Sequence, residues 1–394
     1  MRDSRGYRFF WASNLCFFIG TGIQGLVMAW LTYSMTGSTF LLGMFTAANL
    51  MPQLLGPFGG IAAERMDRVR LLLGAITVCV LIGLTVTALS LMGTLAFWHL
   101  VVAGFALGIT QSTMMPVRNT VVVDLVPRTQ LSAAMALNNI AMMSNAAIGP
   151  LLGGVLYRHF GVLAALGAAV CAALAAGLLL VRVGIPGAPS IRSTVSPLQG
   201  LIDGFRIVAK HRAMVIVLLV TFLANLFGWP AFATFMPVFA KDVLLIGPDG
   251  LGSLQTAFGV GALCGNFAIA SLGDFRWKGQ LYLWGTVGFG LFYALFALSH
   301  AYPLSLGLLF WAGVSASAFG VMQSTLLLLL APPEVRGRVM GTMMLAIGIM
   351  PLSSFALGGI AGHFGVQATA AACGLAVVCC MLAVFAASPS LRKL

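Results

Sequence analysis

Residues 60–93 read GIAAERMDRVRLLLGAITVCVLIGLTVTALSLMG, a short basic segment carrying Arg65, Arg68 and Arg70 followed by an uncharged run from 71 to 93. A helix rises about 1.5 Å per residue, so such a run can cross the roughly 30 Å hydrocarbon core of a bilayer. Runs of this kind recur twelve times, centred near residues 20, 50, 81, 110, 145, 172, 225, 262, 290, 316, 350 and 377. Of the 21 Lys and Arg residues, 18 fall in one alternating set of gaps: Arg2, Arg5 and Arg8; Arg65, Arg68 and Arg70; Arg128; Arg182, Arg192, Arg206, Lys210 and Arg212; Arg276 and Lys278; Arg336 and Arg338; Arg392 and Lys393. The other set holds only Arg158 and Lys241, and Arg118 lies inside a run. Basic loops resist translocation. The pattern therefore predicts an all-α membrane protein of twelve transmembrane helices, multi-pass in the cell inner (cytoplasmic) membrane, with both termini cytoplasmic.

Composition excludes a soluble domain. Hydrophobic residues make up 60%, charged residues 8%, and mean hydropathy is +1.02, whereas soluble domains carry roughly 25% charged residues. The net charge of +12 is spread over short loops without interleaved aromatics, which argues against nucleic acid. The seven cysteines (Cys16, Cys79, Cys171, Cys264, Cys373, Cys379, Cys380) lie in apolar runs without metal-ligand spacing, so neither a disulfide framework, a metal nor a cofactor is expected. HExxH, clustered His and intramembrane carboxylate pairs are missing, which argues against an enzyme. The first run is too long for a signal-peptide core and is expected to remain as a span.

The longest gap divides the chain into an N-terminal six-helix bundle (1–182), a cytoplasmic linker (183–212) and a C-terminal six-helix bundle (213–394). The linker opens on Gly184, Pro186, Gly187 and Pro189, which are turn formers. Leu198, Leu201, Ile202, Phe205 and Val208 then recur at helical spacing, consistent with an amphipathic helix on the inner membrane surface or with one packed on protein. A repeat supports two related halves. Pro127, Met135 and Gly153-Gly154 return 205 residues later as Pro332, Met340 and Gly358-Gly359, and His159-Phe160-Gly161 returns 204 later as His363-Phe364-Gly365. Proteins built from such repeats hold a solute near the midplane.

Side-chain amides mark faces turned away from lipid. Asn14, Gln24, Asn49, Gln53, Gln111, Asn138, Asn145, Asn225, Gln255 and Gln323 lie within spans, and spans three, six, nine and twelve are almost free of amides and should be peripheral. Asn49 and Gln53, Asn138 and Asn145, Asn225 and Trp229, and Gln111, Met115 and Arg118 each share a helical face. Those residues are the candidate solute-binding set. The alternatives are interhelical hydrogen bonds for each single amide and a common cavity for the collective pattern. With Trp229, Phe232, Phe258, Met115 and Met142 beside them, such a cavity suits an amphipathic or aromatic small molecule.

Gly60-Ile61-Ala62-Ala63-Glu64-Arg65-Met66-Asp67-Arg68-Val69-Arg70 resembles the loop signature G-x-x-x-D-R-x-G-R of the major facilitator superfamily, with Glu64 in place of the acid and Asp67 in place of the second glycine. Gly149-Pro150-Leu151-Leu152-Gly153-Gly154 is similar to the antiporter motif of its exporters. Trp30-Leu31, Thr36-Gly37-Ser38, Pro116-Val117-Arg118-Asn119, Leu125-Val126-Pro127 and Arg336-Gly337-Arg338 extend the resemblance over nearly the whole chain, toward the enterobactin-exporter and drug-exporter branch. The resemblance implies a major facilitator fold and a proton-linked exporter of siderophores, drugs or other small amphipathic compounds, working by alternating access, with an uptake symporter or lipid flippase as the alternative. A monomer is expected, whose partners are its solute, the bilayer and the proton gradient. Gly60, Glu64, Arg65, Asp67, Arg68, Asp124, Gly149, Pro150, Gly153 and Gly154 are the candidate gating residues, although positive-inside topology and ordinary close packing account for part of them. All nine acids lie in loops or at span ends. Arg118 has three open roles: binding an anionic solute, balancing Asp124, or snorkelling to the interface.

Overall fold

The structure, a computed structural model, describes residues 5–55, 67–127, 130–183, 197–273, 275–332 and 335–388. Regular structure among them is helical throughout: α1 (Arg5–Thr36), α2 (Thr39–Leu50), α3 (Arg68–Leu91), α4 (Phe97–Leu125), α5 (Leu131–Ala147), α6 (Gly149–Val181), α7 (Pro197–Ala209), α8 (Arg212–Leu223), α9 (Trp229–Val238), α10 (Pro248–Ser271), α11 (Lys278–Ala297), α12 (Tyr302–Leu330), α13 (Arg336–Ile347), α14 (Met350–Phe364) and α15 (Val366–Ala387). Ten stretches of the described residues are long and apolar enough to cross a membrane, where the sequence pattern predicts twelve. The structure departs from the predicted pattern at two places. The stretch Leu137–Val181 has 45 residues, about twice the length one crossing needs, and is broken at Gly161 (φ 80, ψ −179). The 12-residue α2 runs through a 3-10 turn, Met51–Leu55, to the end of a described segment.

Gly161 has a repeat counterpart in Gly365 (φ 85, ψ 153), the sole residue between α14 and α15. That backbone region is essentially closed to residues with a Cβ. The His-Phe-Gly repeat is thus a repeated backbone device, a turn of one residue between two membrane-length segments. Proline interrupts the same regions: α5 ends at Ala147 and α6 restarts at Gly149 with Pro150 in its first turn, while α14 begins with Pro351 in its first turn. Proline fits the first turn of a helix, where its missing N–H would have no partner anyway.

The chain falls into two compact units, Met1–Gly37 with Ala48–Ser193 and Ile246–Thr256, and Ser38–Ala47 with Thr194–Leu245 and Ala257–Leu394. In the first, α1 crosses α6 on small residues. A β-carbon on Gly149 would stand 2.8 Å from Gly22 Cα, and one on Gly153 3.1 Å from Ile23 Cα. In the second, α11 crosses α15 in the same manner, where a Gly290 β-carbon would stand 2.8 Å from Gly374 O. Lipid tails are as apolar as leucine, so close approach at small residues, rather than hydrophobicity, holds such helices together.

The linker helix α7 belongs to the second unit and packs on α13 through Gly204, where an added Cβ would meet Thr342 Cγ2 at 2.9 Å, and through buried Val208. Asp203 lies 3.7 Å from Arg338 and 3.8 Å from Arg206. Ile202 and Phe205 remain half exposed on another face. Protein packing therefore occupies one side of α7; the side chains of Leu198 and Leu201 lie outside the described residues.

Candidate functional site

In the first unit α1, α4 and α5 bring together four of the polar side chains that sequence singles out. Asn14 Nδ2 donates to Asn138 Oδ1 at 2.6 Å, Asn138 Nδ2 donates to Asn119 Oδ1 at 3.1 Å, and an Arg118 guanidinium N–H donates to Asn14 Oδ1. Arg118 is 1% exposed, and its Cζ lies 4.3 Å from the ring centre of Phe17 and 5.5 Å from that of Phe18. Its Nε and Nη2 have no partner among the described residues. A buried cation without a carboxylate is expensive, and here one amide oxygen and two ring faces offset only part of that cost. Two of the three roles open in sequence do not survive. Asp124 is paired with Arg68, linking α3 to α4, and a side chain so deeply buried does not snorkel.

The remaining amides divide. Gln24 Nε2 donates to Cys79 O at 3.3 Å, Asn49 Nδ2 to Gly104 O at 2.9 Å and Asn145 Nδ2 to Thr21 Oγ1 at 2.8 Å, each joining two helices. These three are engaged as interhelical glue. Gln53 and Gln111 are exposed, and Gln255 is half-buried. Gln323 keeps a buried Oε1 without a partner among the described residues. The Met115 side chain lies outside them.

In the second unit Asn225 Nδ2 donates to Thr221 O at 2.7 Å, and Thr221 Oγ1 meets the Tyr282 hydroxyl at 2.9 Å. Trp229 anchors an aromatic cluster, its ring centre 6.3 Å from Phe232, 6.0 Å from Phe258 and 5.1 Å from Phe289, on which it stacks. Trp229, Phe232 and Phe258 are the aromatic residues that the sequence pattern assigns to a common cavity lining. Phe289 and Phe319, far away in sequence, were not foreseen. Nor was the π-helical turn Ala224–Gly228 just before Trp229. A signal for it existed, because Pro230 has no N–H for the carbonyl of Leu226 four residues back; the Ser353 hydroxyl donates to that carbonyl instead.

Among the candidate gating residues, Gly60, Glu64 and Arg65 lie outside the described residues. Asp67 caps α3, its Oδ1 accepting from Val69 N at 2.8 Å and Arg70 N at 3.1 Å. Gly149 and Gly153 lie against α1, while an added Cβ on Gly154 would stand 2.9 Å from Asp249 Cα. Pro150 is buried, and Ala147 O, at the end of α5, accepts from Thr256 Oγ1 at 2.8 Å. Arg158 reaches both oxygens of Asp249 at 2.9 Å. In the second unit the repeat-related Gly358 makes a corresponding crossing with Gly43, where a Gly43 β-carbon would stand 2.6 Å from Ser354 O. Among the described residues a cavity of 710 Å³ lies among Tyr7, Arg8, Trp11, Leu137 and Leu179, and another of 410 Å³ among Phe227, Leu357, Phe364 and Cys373. None of the candidate solute-binding residues lines either.

The chain resembles proteins of known kind along its length. It is 25% identical over 389 residues to the multidrug efflux pump Tap of Mycolicibacterium fortuitum, covering 95% of this chain and 93% of that one. It is 21% identical over 384 residues to the staphyloferrin A transporter of Staphylococcus aureus, covering 94% of each. Macrolide efflux protein A of Streptococcus pyogenes matches at 22% over 269 residues, 68% of this chain and 66% of that protein, just under two thirds of its length. Among solved structures, a POT family transporter in complex with a thioalcohol-conjugated peptide superposes with a TM-score of 0.77 at 14% identity, covering 99% of this chain and 97% of that one. A D-xylose–proton symporter gives 0.74 at 16% identity, with 98% of both covered. These likenesses at low identity carry the fold. The profile of the transmembrane secretion effector family matches residues 3–392, and the chain accordingly belongs to that family, within the major facilitator superfamily.

Proposed function

We propose that the chain is a secondary active exporter of a small amphipathic organic compound, of the siderophore or drug-like kind, working by alternating access and coupled to protons. In this reading two six-helix bundles, 1–182 and 213–394, are joined by the linker 183–212, give twelve spans with both termini in the cytoplasm, and act as a monomer in the inner membrane. The observation that carries it is the Arg118, Asn14, Asn138 and Asn119 set, a polar network sunk in helices whose other side chains are mostly apolar. Intramembrane charges of this type mark solute or ion pathways by default. The named relatives, efflux pumps and a siderophore transporter, support export as the direction. The glycine and proline crossings at Gly149–Gly154 and Gly43–Gly358 support helices that can close tightly at one end.

The test is transport by the purified chain in vesicles with an imposed proton gradient, using a macrolide, staphyloferrin A and a hydrophobic dye as probes. Gradient-dependent movement of at least one, lost in Arg118→Ala and weakened in Glu64→Gln, is expected. No movement of any probe, or full rates in both variants, overturns the proposal.

A further inference from the structure

The 710 Å³ cavity at the start of α1 has no part in the function proposed above. Its walls are Tyr7, Phe9, Trp11, Leu137 and Leu179, with Arg8 at the rim. The polar atoms of the walls are already engaged: the Tyr7 hydroxyl donates to Ala134 O and Trp11 Nε1 to Leu137 O, both at 2.8 Å. What the walls offer an occupant is therefore ring faces and aliphatic carbon. Arg8 is exposed and makes no ion pair among the described residues. The volume lies within the range of small-molecule sites. An apolar trough with a cationic rim, at the end of membrane-spanning helices where basic residues collect, complements a molecule with an anionic head and a long apolar tail.

We propose that this cavity binds an anionic phospholipid, its phosphate at Arg8 and an acyl chain along Trp11, Leu137 and Leu179. Basic pockets between transmembrane helices recognise acidic headgroups in this way. The lipid would tie α1 to α5 and α6, the helices that supply Trp11, Leu137 and Leu179. Free phosphate shares the headgroup chemistry but gains nothing from the walls.

Native mass spectrometry of the purified full-length chain tests it, after equilibration with equal amounts of phosphatidylglycerol and phosphatidylcholine in mixed micelles. The wild-type chain should retain phosphatidylglycerol about five-fold over phosphatidylcholine, the preference expected of one arginine contact. Arg8→Gln should bring the ratio near one, Arg8→Lys should keep most of it, and Leu179→Trp, which fills the trough while leaving the charge, should lower retention of phosphatidylglycerol. Excess inorganic phosphate should displace none of the bound lipid. Equal retention in wild type and Arg8→Gln, no preference in the wild type, or displacement by phosphate alone overturns the proposal. Unfolding midpoints are recorded for each variant, and if Arg8→Gln fails to fold, Arg8→Lys and Leu179→Trp decide.

Discussion

Replacing Arg118 by methionine should leave the fold about as stable as before, while abolishing transport. The guanidinium donates one charge-assisted hydrogen bond, to Asn14 Oδ1, worth about 1.5–3 kcal/mol, and stands over Phe17 at 4.3 Å, worth about 2 kcal/mol when desolvated. Methionine recovers roughly 0.3–1.5 kcal/mol of the second through sulfur–aromatic contact. Against these losses stand two buried nitrogens without partners, at about 1–3 kcal/mol each, and the removal of a cation with no carboxylate beside it. Methionine also leaves the buried Asn14 Oδ1 without its donor, at about 1–3 kcal/mol, and at mid-range the terms cancel to within about 2 kcal/mol. Alanine differs, because it also leaves an unfilled space. The assay is the thermal unfolding midpoint of purified protein, followed by tryptophan fluorescence, beside vesicle transport of the probes named above. A midpoint lowered by many degrees would show that Arg118 is a structural keystone, and retained transport would show that the cation has no role toward the solute. Either result refutes the reasoning.

Gly161→Ala and Gly365→Ala should each cost about 1–3 kcal/mol, whereas Gly74→Ala, with open space around it, should be neutral or slightly stabilising; denaturation of the three variants side by side checks this. Gly43→Val should cost about 1–3 kcal/mol by forcing apart the crossing with Gly358, and suppressor substitutions should map to α14. Asp67→Ala should lose about 1 kcal/mol with the cap of α3, and Asp67→Asn almost nothing. Transport rates in the Asn variant then tell whether the charge itself has a gating role. Asp124→Asn should weaken its link to Arg68 by no more than about 1 kcal/mol, both groups being partly exposed, as a double-mutant cycle with Arg68→Gln will read.

Much of the helical frame was legible because membrane spans are written locally, in run length and in where Arg and Lys fall. The repeat was legible too: His-Phe-Gly at 159–161 and 363–365 returned as two glycines with nearly the same positive φ. Amide chemistry was legible only as a class. That Asn14, Arg118 and Asn138 share one network while Gln24 is spent on Cys79 O depends on how α1, α3, α4 and α5 cross, and no spacing along one helix encodes it. The grouping of Ser38–Ala47 with the second unit and Ile246–Thr256 with the first was likewise hidden, because hydropathy records depth in the membrane and says nothing of neighbours. Trp229 was picked out, yet its stack on Phe289 needed a contact across 60 positions of chain.

The one-residue turns at Gly161 and Gly365 leave their flanking segments no slack. Two rods joined by a loop of several residues can slide along each other; two rods sharing a single pivot atom can only hinge about it. Any rearrangement of these helices must therefore carry the segments on either side of Gly161, and likewise α14 and α15, as articulated pairs whose joined tips travel together. The freedom for relative displacement is left to their opposite ends.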